Sequence, residues 1–202
     1  MNKVLATLFF GLFAASMAQA QQATPAPFSY TIAEISYLNG SADIAGSKLD
    51  MTGMSLTGSV AVNDSLFVSG SYGDGKAKIS GSTIKSNTFS LGFGGHIAIG
   101  SQTDLVGSLS YINSKVTAPG RSQSDNGYGF NLGVRHAVTK ELELNAGLGM
   151  TFLGADNDRT TTLSAGARYK VADKISLGLG YTNSSADAGN SRGFLGSVRM
   201  EF

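Results

Sequence analysis

From Met54 to Val62 the chain alternates strictly. Met54, Leu56, Gly58, Val60 and Val62 fall on one parity, and Ser55, Thr57, Ser59 and Ala61 on the other. Successive side chains of a strand point to opposite faces, so this segment reads as a two-faced β-strand rather than a helix. Asn63-Asp64 makes a tight turn. Leu66, Val68, Gly70 and Tyr72 then resume the apolar face, and Ser69, Ser71 and Gly73 the other. The pattern recurs and predicts ten strands, near 28–38, 49–62, 65–73, 87–98, 104–116, 127–138, 141–153, 160–171, 174–182 and 193–202. Eight strands is the alternative count, with 28–38 and 174–182 the weakest members. The connections alternate in kind: short at 63–64, 99–103, 139–140 and 172–173, longer and polar at 39–48, 74–86, 117–126, 154–159 and 183–192.

The strands that lead into the short turns end alike. Gly58–Val62, Gly95–Ile99, Val134–Val138, Ala167–Val171 and Val198–Phe202 place equivalent end residues 31 to 39 positions apart. One hairpin is therefore the repeating unit, which suits an up-and-down barrel and not a Greek-key sandwich.

Residues 1–20 stand apart. Lys3 precedes an apolar run from Val4 to Ala15, and Ala18-Gln19-Ala20 supplies small residues where a signal peptidase reads. That layout predicts a cleaved signal peptide over 1–20. The run is shorter than the ~20 residues a membrane-spanning helix needs. Residues 21–27 carry two of the three prolines and form a flexible lead, leaving 28–202 as the barrel. There is no cysteine, so no disulfide staples the fold. Without Lys3 the 15 basic residues become 14, balancing 14 acidic ones. No basic stripe exists to neutralise phosphates, which argues against a nucleic-acid partner. Charged residues make up only 14% of the chain, against about 25% in soluble domains. Beyond residue 20 no segment is continuously apolar over a helical span, so entry into a membrane requires a β-barrel.

Aromatic residues decide which face meets lipid. Tyr37, Tyr72, Tyr111, Phe152 and Tyr181 sit near the tops of strands running toward the longer loops. Phe89, Tyr128, Phe130 and Phe194 sit near the starts of their partners, all on the apolar parity. Phe28, Tyr169 and Phe202 lie near the other end. Two aromatic girdles around an aliphatic band are what membrane–water interfaces select. The opposite face, rich in Ser, Thr, Asn and Gly, offers little apolar area at ~25 cal/mol per Å². It serves poorly as a soluble core and well as a lumen lining.

The closing run Val198-Arg199-Met200-Glu201-Phe202 resembles the C-terminal signal of Gram-negative outer-membrane proteins. The chain from 28 to 202 resembles the small outer-membrane β-barrel family that includes OmpX-like and OmpA-barrel-like proteins, whose smallest members have eight strands. The resemblance implies residence in the outer membrane among lipid and lipopolysaccharide. It also implies passage by periplasmic chaperones and a barrel assembly machinery that reads Phe202 as an assembly signal. A continuous lipid face needs no partner chain, so a monomer is expected.

Charged residues on the small-residue face form the candidate site: Glu34, Arg135, Glu143, Arg168, Arg199 and Glu201. The three arginines fall at one height on alternate strands, near the short-turn end. Glu143 lies across a short turn from Arg135, and Glu34 and Glu201 lie on the strands that must pair to close the barrel. A network filling the lumen is the favoured reading, because charges in a narrow barrel need partners. A charged constriction filtering solutes is the other. No catalytic constellation stands out: His96 and His136 both lie near the short turns, away from the outer rim, and no cofactor is expected. Asp156, Asp158 and Asp187 in the loops read as solvated carboxylates rather than a calcium site. The composite expectation is a structural or weakly conducting barrel. The competing one is a surface interaction protein acting through its outer loops.

Overall fold

The computed structural model describes residues 28–44, 46–79, 82–154, 158–187 and 189–202. The expected signal peptide 1–20, the lead 21–27 and Asp156 lie outside the described residues. Ten strands follow in chain order: β1 (Ile32–Ile44), β2 (Ser47–Ala61), β3 (Leu66–Ile79), β4 (Ser82–Ala98), β5 (Thr103–Ala118), β6 (Arg121–Ala137), β7 (Leu142–Leu153), β8 (Asp158–Ala172), β9 (Ile175–Ala186) and β10 (Gly189–Glu201). Each pairs antiparallel with its neighbour in sequence, and β10 closes onto β1. The barrel is all-β, up-and-down and ten-stranded, so the eight-stranded alternative falls. Closure leaves no unpaired edge.

The strand ends depart from expectation at both ends of the barrel. The polar stretches expected as long loops are strand. In β3, Gly73, Gly75 and Ala77 continue the inward parity while Asp74, Lys76 and Lys78 point outward. The connections on that side shrink to residues 45–46, 80–81, 119–120, 154–157 and 187–188. The physical reason is that outward residues face lipid only within the apolar band; beyond it they face water and are polar, so alternation of hydrophobicity fades while the ladder goes on. A 16-residue strand such as β5 rises ~40 Å at ~3.3 Å per residue and a ~40° tilt, against an apolar band of ~25 Å. About 15 Å of barrel wall thus projects as a collar at the hairpin end.

At the opposite end, residues 28–31 are not strand. The last rung joins Ile32 to Glu201, and the Phe202 N–H donates to the Thr31 carbonyl (2.9 Å). Beyond this rung residues 28–30 leave the β1–β10 ladder and turn into the lumen. Phe28 is 3% exposed there, which corrects its expected place in the lipid-facing girdle.

The lumen is packed in tiers. At the termini end Phe28, Tyr30, Ile32, Phe67, Val106 and Ala137 form one apolar cluster. Toward the hairpin end a second cluster joins Leu38, Ala42, Ile44, Leu49, Met51, Ala77, Ile84, Val116 and Leu195 inside the collar. Between them lie buried Ser, Thr and Asn side chains and the charged residues. The outer wall carries the complementary set, with Leu56, Leu91, Leu132, Leu163 and Leu177 all exposed.

Candidate functional site

Ladder register brings the charged residues together. Glu34 of β1 faces Arg199 of β10 directly across the closing seam, and Glu143 of β7 faces Arg168 of β8. Arg135 of β6 pairs with Asn145 in register and reaches Glu143 diagonally. All point inward because they share the parity of the small lumen residues. Two glutamates organise the belt. Glu34 accepts from Arg199 Nε (2.6 Å) and from Arg168 Nη2 on both carboxylate oxygens (3.0 and 3.1 Å). Glu143 accepts a bidentate pair from Arg135, Nε to Oε1 at 2.8 Å and Nη2 to Oε2 at 2.7 Å. Two parallel charge-assisted bonds are the strongest geometry a guanidinium offers.

Space for these side chains comes from small residues opposite them. Gly178 is the register partner of Arg168, and a Cβ there would lie 3.1 Å from its Nη2 and 2.5 Å from Ser197 Oγ. Gly94 plays the same part for Phe67, whose ring a Cβ at 94 would strike.

The belt continues into Asp104, Tyr30 and Phe67, which the sequence pattern does not single out, and into His96 and Phe28. Asp104 is fully buried on β5 and accepts from the Tyr30 hydroxyl (2.6 Å). His96 Nδ1 lies 3.2 Å from the same carboxylate oxygen, and its Nε2 lies 2.8 Å from the Asp64 carbonyl oxygen. Tyr30 stacks near Phe67 and tilts against His96. The Arg135 guanidinium sits over the rings of Phe28 (4.5 Å) and Tyr30 (5.0 Å), a cation–π contact that ties the inserted segment to the belt. Ser59 Oγ donates to the Tyr30 carbonyl (2.8 Å) and holds the segment from the wall. Three guanidinium groups thus face three buried carboxylates, Glu34, Glu143 and Asp104. Signals for these extra members existed. Asp104 shares parity with Ser108 and Ser110, and Phe67 with Ser69 and Ser71. Each sits at a strand start, where alternation is shortest and weakest as a signal.

The remaining expected residues are distributed differently. Glu201 points inward at the termini mouth, half-buried, and lines a void of about 30 Å³ with Phe28 and Arg168. Phe202 is exposed. Tyr37, Tyr72, Tyr111 and Tyr181 face outward and exposed, while Phe152 is half-buried against Tyr128 (ring centroids 5.1 Å apart). Two of the hydroxyls meet polar collar groups: Asn87 Nδ2 donates to the Tyr72 oxygen (3.1 Å), and the Tyr111 hydroxyl donates to Asn126 Oδ1 (2.8 Å). His136 faces outward and pairs with Thr103 Oγ1 (2.9 Å).

A family model described as the outer membrane protein β-barrel domain matches residues 5–165. No curated protein matches the chain in sequence. Among solved structures, the chain is similar to the translocator domain of the autotransporter NalP from Neisseria meningitidis. That match has a TM-score of 0.54 and 12% identity, and covers 95% of this chain and 93% of that one. It is similar to the β domain of the Bordetella autotransporter BrkA, with a TM-score of 0.57, 11% identity and coverage of 85% and 99%. It is also similar to the COG4313 outer membrane channel from Pseudomonas putida F1, with a TM-score of 0.51, 13% identity and coverage of 83% and 92%. At these identities the structures share the fold. With the family model spanning most of the closed barrel, the chain belongs to the outer membrane protein β-barrel domain family and resides in the outer membrane.

Proposed function

We propose that this protein is a closed, non-conducting outer-membrane barrel that works through its external collar rather than by passing solutes. The observation that carries this reading is the inaccessibility of the belt to water: Arg199 and Asp104 are 0% exposed and Arg135 1%. A conducting constriction keeps its charges wet. Here the guanidiniums are held by carboxylates, and that of Arg135 is also capped by Phe28 and Tyr30, so they brace the wall instead of filtering. The collar supports the second half of the reading, since ~15 Å of apolar-lined wall beyond the membrane serves no purpose for a bare anchor.

In this reading residues 1–20 are the cleaved export signal and 21–27 the lead. Both termini and the short turns face the periplasm, Phe202 marks the chain for assembly, the hairpins face outward, and the protein acts as a monomer without catalysis. The test is single-channel recording of protein purified from outer membranes and inserted into planar bilayers, with heat-modifiable gel mobility reporting that it is folded. Silence is the expected result. Discrete, reproducible steps from folded protein would overturn closure and make Arg135, Arg168 and Arg199 the filter to test.

A further inference from the structure

We propose that the outward face of β3–β6 binds one phosphorylated, multiply acylated glycolipid of the outer leaflet. Its phosphate sits on a lysine cluster above the aromatic girdle, and an acyl chain lies in the groove below. The proposal rests on the outward placement of the hairpin end, and not on closure of the lumen.

Four lysines share this face. Lys76 and Lys78 of β3, Lys85 of β4 and Lys115 of β5 are all exposed and on the outward parity. Lys76 and Lys85 are direct register partners. Like charges opposite one another destabilise a sheet. Among the described residues none of the four makes an ion pair, and the carboxylates nearest in register are Asp50 and Asp74. Four positive charges against two negative ones leave a net basic patch that an anion would relieve. Lys78 faces Asp50 across β2 and β3 as Lys48 faces Asp43 across β1 and β2, so the excess positive charge lies on Lys76, Lys85 and Lys115.

Position makes the anion a lipid. Lys76 and Lys115 each lie four residues beyond a girdle tyrosine, Tyr72 and Tyr111, on the same strand and face. That is ~10 Å higher at the strand rise and tilt of a barrel, within the headgroup layer that begins at the girdle. Directly below, Leu91, Phe93, Leu109, Tyr111, Tyr128 and Phe130 line an outward groove of about 870 Å³ that reaches up to Asn126. The Asn113 amide donates to Asn126 Oδ1 (2.7 Å), which also takes the Tyr111 hydroxyl, so the groove's upper end is polar and adjoins Lys115. Apolar channel and basic cluster are thus continuous along the membrane normal, as an anionic lipid with long acyl chains requires.

The experiment is native mass spectrometry of the whole protein, stripped of lipid in neutral detergent and titrated with three probes. These are diphosphorylated lipid A, the same lipid dephosphorylated, and phosphatidylglycerol. The proposal expects one diphosphorylated molecule held at least about tenfold more tightly than either alternative. It expects Lys76→Ser/Lys85→Ser/Lys115→Ser to remove that preference while Arg159→Ser/Arg192→Ser, on β8 and β10 across the barrel, keeps it. Equal binding of the dephosphorylated lipid, equal binding of phosphatidylglycerol, or retention of preference by the triple variant would each overturn it. The wild-type comparison among probes stands even if a variant assembles poorly. Labelling of Lys85→Cys on intact cells, in a chain with no other cysteine, reports the orientation separately.

Discussion

Replacing Glu34 by Gln removes the acceptor shared by two buried guanidinium groups. Arg168 is 5% exposed and Arg199 0%, and between them they give Glu34 bonds at 3.0, 3.1 and 2.6 Å. A Gln oxygen replaces at most part of this, its amide turns a donor toward a donor, and the belt loses one of its three negative charges. Glu143 already carries the bidentate pair from Arg135, so it offsets only part of the loss. Breaking a buried ion pair from one side costs about 3–5 kcal/mol, because the remaining charge stays desolvated. That is roughly a 10²- to 10⁴-fold loss in the folding constant. Urea unfolding of the barrel reconstituted in phospholipid, followed by tyrosine fluorescence and gel mobility, measures it. Glu34→Gln/Arg199→Gln should cost less than the sum of the single changes by about 1–3 kcal/mol, as expected for residues in one network. A cost below about 1 kcal/mol for Glu34→Gln would mean the guanidiniums are solvated. The case for a dry, closed lumen would then fail with it.

Gly94→Ala drives a methyl into the Phe67 ring, and should cost about 1–3 kcal/mol in the same assay, as overpacking does; Phe67→Leu added to it should recover most of the loss, and no recovery would remove the ring as the cause. Phe202→Ala should lower the yield and rate of appearance of heat-modifiable protein in the outer membrane, yet shift urea stability by less than about 0.5 kcal/mol, the range of ordinary surface changes. Its side chain is exposed, and its hydrogen bond to Thr31 is made by backbone. A large stability loss with normal assembly would reverse the role given to this residue.

Strand number and facing were legible because each rests on parity, and parity survives local error. A reader who misplaces the end of β3 by six residues still puts Tyr72 outward and Ser71 inward. The collar was not legible, since Asp74, Lys76 and Lys78 have the composition of a loop; only the small inward residues Gly73, Gly75 and Ala77 betray a strand whose outer face has left the bilayer. The glutamate–arginine belt could be foreseen as a set, because all its members share parity and height. Its wiring could not. Which carboxylate meets which guanidinium depends on the register of β1 against β10 and on diagonal reach from Arg135 to Glu143. Tyr30 was hidden for another reason: the β1–β10 ladder stops at Ile32 and Glu201, and strand propensity cannot register where pairing with a strand some 170 positions away gives out.

The seam between β1 and β10 has a consequence for biogenesis. Glu34 finds Arg168 and Arg199 across 134 and 165 residues of chain, so the glutamate of the first strand is neutralised only by strands that arrive last. A chain interrupted before β10 leaves Glu34 without Arg199, and one that loses β1 leaves Arg168 and Arg199 without Glu34. Incomplete products are therefore penalised in proportion to what they lack. The barrel checks its own closure: the bond that seals it forms only when β1 and β10 are both present and in register.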